Sequence, residues 1–293
     1  MWMLGDGRTL ETEHDPLGGV HRSRRLSDAE TAQRMLQTGI DKVDREGLKV
    51  SFDLLRLEDL IVEAGVVRSA VYRRWPTKNY YYADLLRELA GRQYPVLATS
   101  GQSSINQVRA LLAEHPSKFR TPEDRHRLIV EICRLGALEN FNSIANSTEW
   151  NTYMTITATL STLPSNEDLQ SDLGEALKLS EQAHIENMAA SYAELAQLLD
   201  YQLRPNLGDI TFQTIAQMAA GVIQGLAMDS LADQSIGTQR FQADPFSTGT
   251  VSEWSMPAIG FTSVIMCFLE PLPDRRELTD AEIDNRIQAL QHM

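Results

Sequence analysis

The sequence predicts an all-α fold, and three observations carry that prediction. Apolar residues recur at spacings of three and four through most of the chain, the period of one helix face. Prolines and glycines fall mainly between those runs, at Pro116, Pro122, Pro164, Pro205, Gly208, Pro271 and Pro273. Period-two alternation, the mark of a half-buried strand, is scarce. The organisation expected is an arm over 1–26, a small helical domain over 27–92 and a larger helical domain over 93–293.

Each element follows from local chemistry. Residues 1–25 mix Gly, Asp, Glu and Thr without a hydrophobic period and end in HRSRR, the pattern of a flexible arm. Its segment 22–25 reads equally as a basic tail or as an arm able to enter a minor groove. Ser27 or Asp28 caps a first helix, with Met35, Leu36, Ile40 and Val43 on one face and Gly47 as its stop. Asp53 is expected to cap a second helix with an inner face of Leu57, Leu60 and Ile61. That helix ends at Gly65, which suits a left-handed turn. A short third helix over VVRSAVYRRW is stopped by Pro76. Thr77 caps a fourth, whose apolar face includes Tyr81, Tyr82, Leu85, Leu86 and Leu89. Further helices are expected over about 103–114, 122–140, 148–162, 166–201, 209–232, 257–269 and 279–291, with a loop over 233–256.

Composition narrows the function classes. A chain of 293 residues with 42% apolar and 23% charged residues has the make-up of a soluble globular protein. The net charge is −13, yet the acid is unevenly spread. Residues 20–94 hold 14 basic and 11 acidic side chains, whereas residues 95–293 hold 12 and 25. Such asymmetry points to two parts with different partners, the first suited to a polyanion. Cys133 and Cys267 have no Cys or His neighbour at ligand spacing, so neither a disulfide framework nor a metal site is expected, and a reducing cytoplasm fits. The opening residues are acidic and lack the apolar centre of a signal peptide. The longest apolar run, 256–269, is broken by Pro257 and Gly260 and is too short for a bilayer, so no membrane partner is expected. No Gly-rich phosphate loop, nucleophile elbow or His/Cys/Asp metal spacing is present, so neither an enzyme nor a bound cofactor is expected.

The acidic chain nevertheless gathers four cations in AGVVRSAVYRRWPTK, residues 64–78. Two short helices joined by a tight glycine turn, the second carrying cations, match a helix-turn-helix, whose second helix enters the DNA major groove. Ala64 and Gly65 permit the turn, and Val66 and Val71 anchor the second helix from inside. Arg68, Ser69, Tyr72 and Arg73 then face outward. Arginine suits guanine or phosphate, and a tyrosine hydroxyl suits a phosphate oxygen. Lys78 lies in the first turn of the next helix, where free N–H groups favour an anion. The competing assignment is a basic, solvated face above an ordinary core, with Trp75 a core residue rather than a base-stacking one.

The segment LRLEDLIVEAGVVRSAVYRRWPTK resembles the N-terminal region of TetR-family transcriptional regulators at Ala64, Gly65, Val66, Val71, Tyr72, Arg73, Trp75, Thr77 and Lys78. The resemblance extends over about residues 28–92. It implies an all-helical homodimer in which three N-terminal helices bind a double-stranded DNA operator. A divergent helical domain then dimerises and accepts a small-molecule effector. By that resemblance Tyr72 and Lys78 correspond to phosphate contacts and Arg68 and Ser69 to base-reading positions, with Arg56, Arg73 and Arg74 beside them. Three positions depart from the family: Val67 and Ala70 stand where Ser or Thr and Thr are common, and Arg56 stands at another usual Thr.

In the larger domain, Ala219, Ala220, Val222, Ile223, Leu226 and Ala227 form a small apolar surface of the kind a two-fold helix interface needs, or one internal to the domain. Trp150, Tyr153, Met154, His184, Met188 and Tyr192 follow helical faces and are candidates for an effector pocket or for plain core. The function expected is a ligand-responsive dimeric regulator, a repressor released from a palindromic operator by its effector. The alternative is a helical dimer of the same fold that binds a ligand or protein without operator specificity.

Overall fold

In the computed structural model of the chain, α1 (Asp28–Glu46) begins where Ser27 and Glu30 exchange hydrogen bonds: each side chain accepts from the other's backbone N–H. The residues described are 26–48, 55–91, 116–160 and 167–292. Nearly all of the expected arm, the domain boundary near residue 92 and the helix expected over 103–114 lie outside them. α1 ends at Gly47 as its sequence requires, with φ 74°.

α2 (Leu57–Ala64) starts later than expected, with Arg56 rather than Asp53 in the N-cap position. Gly65 closes it in the left-handed region, and α3 (Arg68–Arg74) follows at once, with Val67 in its own N-cap position. Both caps lack a side-chain hydrogen bond, so these two helices start on backbone alone. Thr77 occupies the N-cap of α4 (Lys78–Ala90), also without a side-chain bond. Met35, Leu60, Val71, Trp75, Tyr81, Leu85 and Leu89 close the core of these four helices. The Trp75 and Tyr81 rings meet edge to face at 5.2 Å. Burial raises the Tyr81 phenol above its ordinary pKa, and its hydroxyl donates to the Met35 carbonyl at 2.9 Å.

Beyond residue 115, a 3-10 turn (Pro116–Phe119) leads into α5 (Pro122–Ala145), which opens on a second reciprocal cap between Thr121 and Asp124. α6 (Thr148–Leu160), α7 (Glu167–Leu198), α8 (Phe212–Asp229), the single turn α9 (Ser235–Thr238), α10 (Met256–Phe268) and α11 (Asp280–His292) complete the eleven α-helices among the described residues. α10 packs between α5 and α8, α7 packs on α8, and α4 packs on α7. α1 also meets α6: Leu48 N–H donates to Thr152 Oγ1 at 3.4 Å, and Thr155 Oγ1 donates to the Leu48 carbonyl at 3.1 Å. One continuous apolar cluster therefore runs from the first four helices into the rest.

The mostly helical architecture agrees with the expected class, but the expected loop over 233–256 is not featureless. It holds α9 and a hairpin of β2 (Phe241–Ala243) with β3 (Ser252–Trp254). Both oxygens of Asp244 tie this hairpin's loop, accepting from the backbone N–H groups of Thr248 and Gly249 at 2.8 Å each. A second antiparallel pair joins β1 (Tyr201–Leu203) to β4 (Leu269–Pro271), with Tyr201 opposite Pro271. No described helix is long and apolar enough to cross a membrane.

Candidate nucleic-acid interface

The left-handed Gly65 sets α3 across the end of α2, and its N–H is satisfied by the carbonyls of Ile61 and Val62. Two apolar side chains then fix α3 from below. Val71 is fully buried, and Trp75, which follows α3, is 1% exposed. The indole N–H donates to Asp84 Oδ2 on α4 at 2.8 Å, so the end of α3 is held by both packing and a hydrogen bond.

With that side buried, the polar side chains of α3 turn outward. Arg68, Ser69, Arg73 and Arg74 are exposed, as are Arg56 beside α2 and Lys78 at the start of α4; Tyr72 is half-buried. Six of the seven residues singled out for DNA therefore share the accessible surface of this short helical unit.

The arginines do not stand alone. Arg68 Nη2 donates to Glu58 Oε1 at 2.8 Å, Arg73 pairs with Asp28 on α1, and Arg74 lies 3.8 Å from Asp84. The Tyr72 hydroxyl donates to the same Glu58 oxygen at 2.6 Å, and that bond is the first cause of its raised pKa. The Arg68 guanidinium lies 5.5 Å from the centre of the Tyr72 ring. The helical period alone would have Tyr72 offer its hydroxyl outward; instead a carboxylate one helix away takes it. Glu58, Asp28 and Asp84 are the residues that sequence reasoning missed. Glu58 and Arg68 are ten positions apart, and only the turn at Gly65 brings them together.

Asp84 continues the chain of contacts away from α3. Its Oδ1 accepts from Arg87 Nη1 at 3.0 Å, and Arg87 Nε donates to Asp172 Oδ2 on α7 at 2.9 Å. A polar line, Trp75–Asp84–Arg87–Asp172, thus joins the end of α3 to α7, the longest helix among the described residues.

The residues expected at a subunit interface fall differently. Ala219, Ala220, Ile223 and Ala227 are buried inside the chain itself. Val222 and Leu226 face α10 at Gly260, where an added Cβ would stand 2.8 Å from Val222 Cγ1. The small side chains of α8 serve close packing within the chain, which withdraws Ala219, Ala220, Ile223 and Ala227 from a subunit contact, while Val222 and Leu226 are half-buried. The outward side of α8 instead carries Met218, Gly221, Gly225 and Met228.

The six pocket candidates do not share one setting. Trp150 and Tyr153 stack at 5.4 Å in the main core, against which Met154 packs. His184 is buried, and desolvation lowers its pKa while the nearby Glu181, which also acts on Tyr153, raises it. Met188 belongs to a smaller cluster between α7 and α8, with Ile185, Ala189, Ala216 and Ala220. Tyr192 turns toward Phe261 on α10, its ring 5.9 Å away edge to face. Among the described residues no group of three or more His, Cys, Asp or Glu side chains is placed to hold a metal ion.

A scan against protein-family models, a search of curated proteins and a search of solved structures each return no match to the chain.

Proposed function

We propose that the protein is a DNA-binding transcriptional regulator of the TetR type, a homodimer that inserts α3 of each subunit into successive major grooves about one helical turn, ~34 Å, apart. The observation that carries this is the construction of α3. A left-handed glycine orients it, Val71 and Trp75 are spent on anchoring it, and Arg68, Ser69 and Arg73 are left exposed on its other side. Lys78 adds an exposed cation at the first turn of α4, where unpaired N–H groups already favour phosphate.

In this proposal the two subunits meet away from the buried face of α8, along its outward side at Met218, Gly221, Gly225 and Met228. A small-molecule effector held among the later helices would act by moving α4, which Arg87 and Asp172 tie to α7. Repression and its release then follow if the DNA-bound and effector-bound positions of α3 differ in free energy.

The test is binding of purified protein to genomic fragments, followed by salt titration on an enriched site. An enriched palindrome is expected. Lys78→Ala should weaken binding to every sequence and lower the salt slope by about 1, whereas Tyr72→Phe, which removes no charge, should weaken binding at an unchanged slope. An unchanged slope in Lys78→Ala would count against its phosphate role. One observation favours a second reading, a helical binding module without operator specificity. Arg68, Arg73 and Arg74 each lie within ion-pair distance of a carboxylate, and the N-cap positions of α2 and α3 carry no hydroxyl. That module would enrich no palindrome.

A further inference from the structure

Glu58 is one of three carboxylates that pair with the arginines of α3, and its setting differs from the other two. A single oxygen, Oε1, accepts both from Arg68 Nη2 at 2.8 Å and from the Tyr72 hydroxyl at 2.6 Å. Arg68 in turn lies over the Tyr72 ring at 5.5 Å. Three side chains from α2 and α3 thus close into one unit. By contrast, Asp28 reaches Arg73 from α1 in a single ion pair, and Asp84 turns mainly to Trp75 and Arg87.

Two physical consequences follow. A guanidinium carries five N–H donors in a fixed plane, so a bond to Glu58 through Nη2 orients that plane while leaving donors for a base edge. A carboxylate beside that plane also repels phosphate, and with side chains 66% and 47% accessible the pair stands where an approaching duplex would meet it. A duplex that engages Arg68 and Tyr72 in their held geometry recovers the interaction, whereas one that offers only backbone charge meets the carboxylate. Attraction to the correct partner and repulsion of the wrong ones then act through one residue.

We propose that Glu58 is a specificity-determining positioning residue, which holds Arg68 and Tyr72 in register for one DNA sequence and penalises binding to all others. The inference rests on the DNA-binding reading of α3.

The experiment compares full-length wild type with Glu58→Gln and Glu58→Ala. Duplexes are selected from a random pool by the wild type. Affinities of all three proteins are then measured for the selected duplex and for a scrambled duplex of equal length, over a range of salt. Both variants should bind the scrambled duplex several-fold more tightly because a negative charge is gone. The preference for the selected duplex should fall about tenfold in Glu58→Ala, the scale of one oriented arginine contact. Glu58→Gln keeps an acceptor without the charge and should retain part of that preference. Circular dichroism and thermal melts check that the fold is kept, which the half-buried position of Glu58 favours. An unchanged preference in Glu58→Ala overturns the inference while leaving the DNA-binding reading intact. A wild type that enriches no sequence overturns that reading, and this inference with it.

Discussion

Gly65 concentrates at one residue what the first four helices need. Its φ of 62° and ψ of 36° lie where a Cβ crowds the following carbonyl, and no other atom stands within 4 Å of an added Cβ. A Gly65→Ala change therefore isolates the backbone cost from any clash. It should destabilise the protein by about 1 kcal/mol, read as a lower urea midpoint at unchanged m-value. The glycine and its consequence were legible in the sequence, because a helix stop is a local property. The side chains that α3 would present were legible too, since anchoring Val71 inward carries Arg68 and Arg73 outward on a helix of 3.6 residues per turn. What each arginine touches was not legible. Glu58, Asp28 and Asp84 lie on three other helices, and no spacing rule connects them to α3.

At the level of elements, the close crossing of α1 on α4 has a sharper requirement. Gly39 lies under Tyr81, and a Cβ there would fall on the tyrosine hydroxyl and 3.1 Å from Leu85 Cδ1. Tyr81 is fully buried and bonded to the Met35 carbonyl, so it has little room to yield. Gly39→Ala should cost about 1–3 kcal/mol, the penalty of overpacking, measured by thermal or denaturant unfolding. Tryptophan fluorescence should change with it, as the displaced Tyr81 ring leaves its T-shaped packing on Trp75. Long helices were readable because three or more turns repeat the period. The four strands among the described residues are three residues each, too short for alternation to register, and they form only because distant segments pair. Likewise α8 is apolar over enough of its surface that periodicity alone did not say whether its alanines met another subunit or the chain's own helices.

At the scale of the molecule, the most deeply buried charge among the described residues lies away from α3, at Arg125, whose side chain is 1% exposed. It donates through Nη1 to the carbonyls of Phe119 and Arg120 and through Nη2 to that of Arg276, and it pairs with Asp200 Oδ2 at 2.9 Å. Desolvation lowers the Arg125 pKa, and Asp200 opposes that shift. Arg286 of α11 closes on the other Asp200 oxygen at 2.8 Å. One carboxylate thus joins the start of α5, the end of α7 and α11. Asp200→Asn keeps the shape and suits the local φ of 59°, yet leaves a buried cation without its counter-charge. It should destabilise the fold by about 3–5 kcal/mol, the cost of breaking one partner of a buried pair, seen as a large drop in melting temperature.

The sequence by itself determined the helical class, the position and handedness of the turn at Gly65, a first-helix cap at Ser27 or Asp28 and the outward display of Arg68, Ser69 and Arg73. Each of these depends on backbone preference or on the helical period within a few turns. Only the tertiary structure decided that Glu58 holds both Arg68 and Tyr72, that the alanines of α8 face inward, and that Arg125, Asp200 and Arg286 meet. Those contacts depend on how rigid helices are placed against one another. That placement is set by the summed packing of the whole core, which no local stretch of residues encodes.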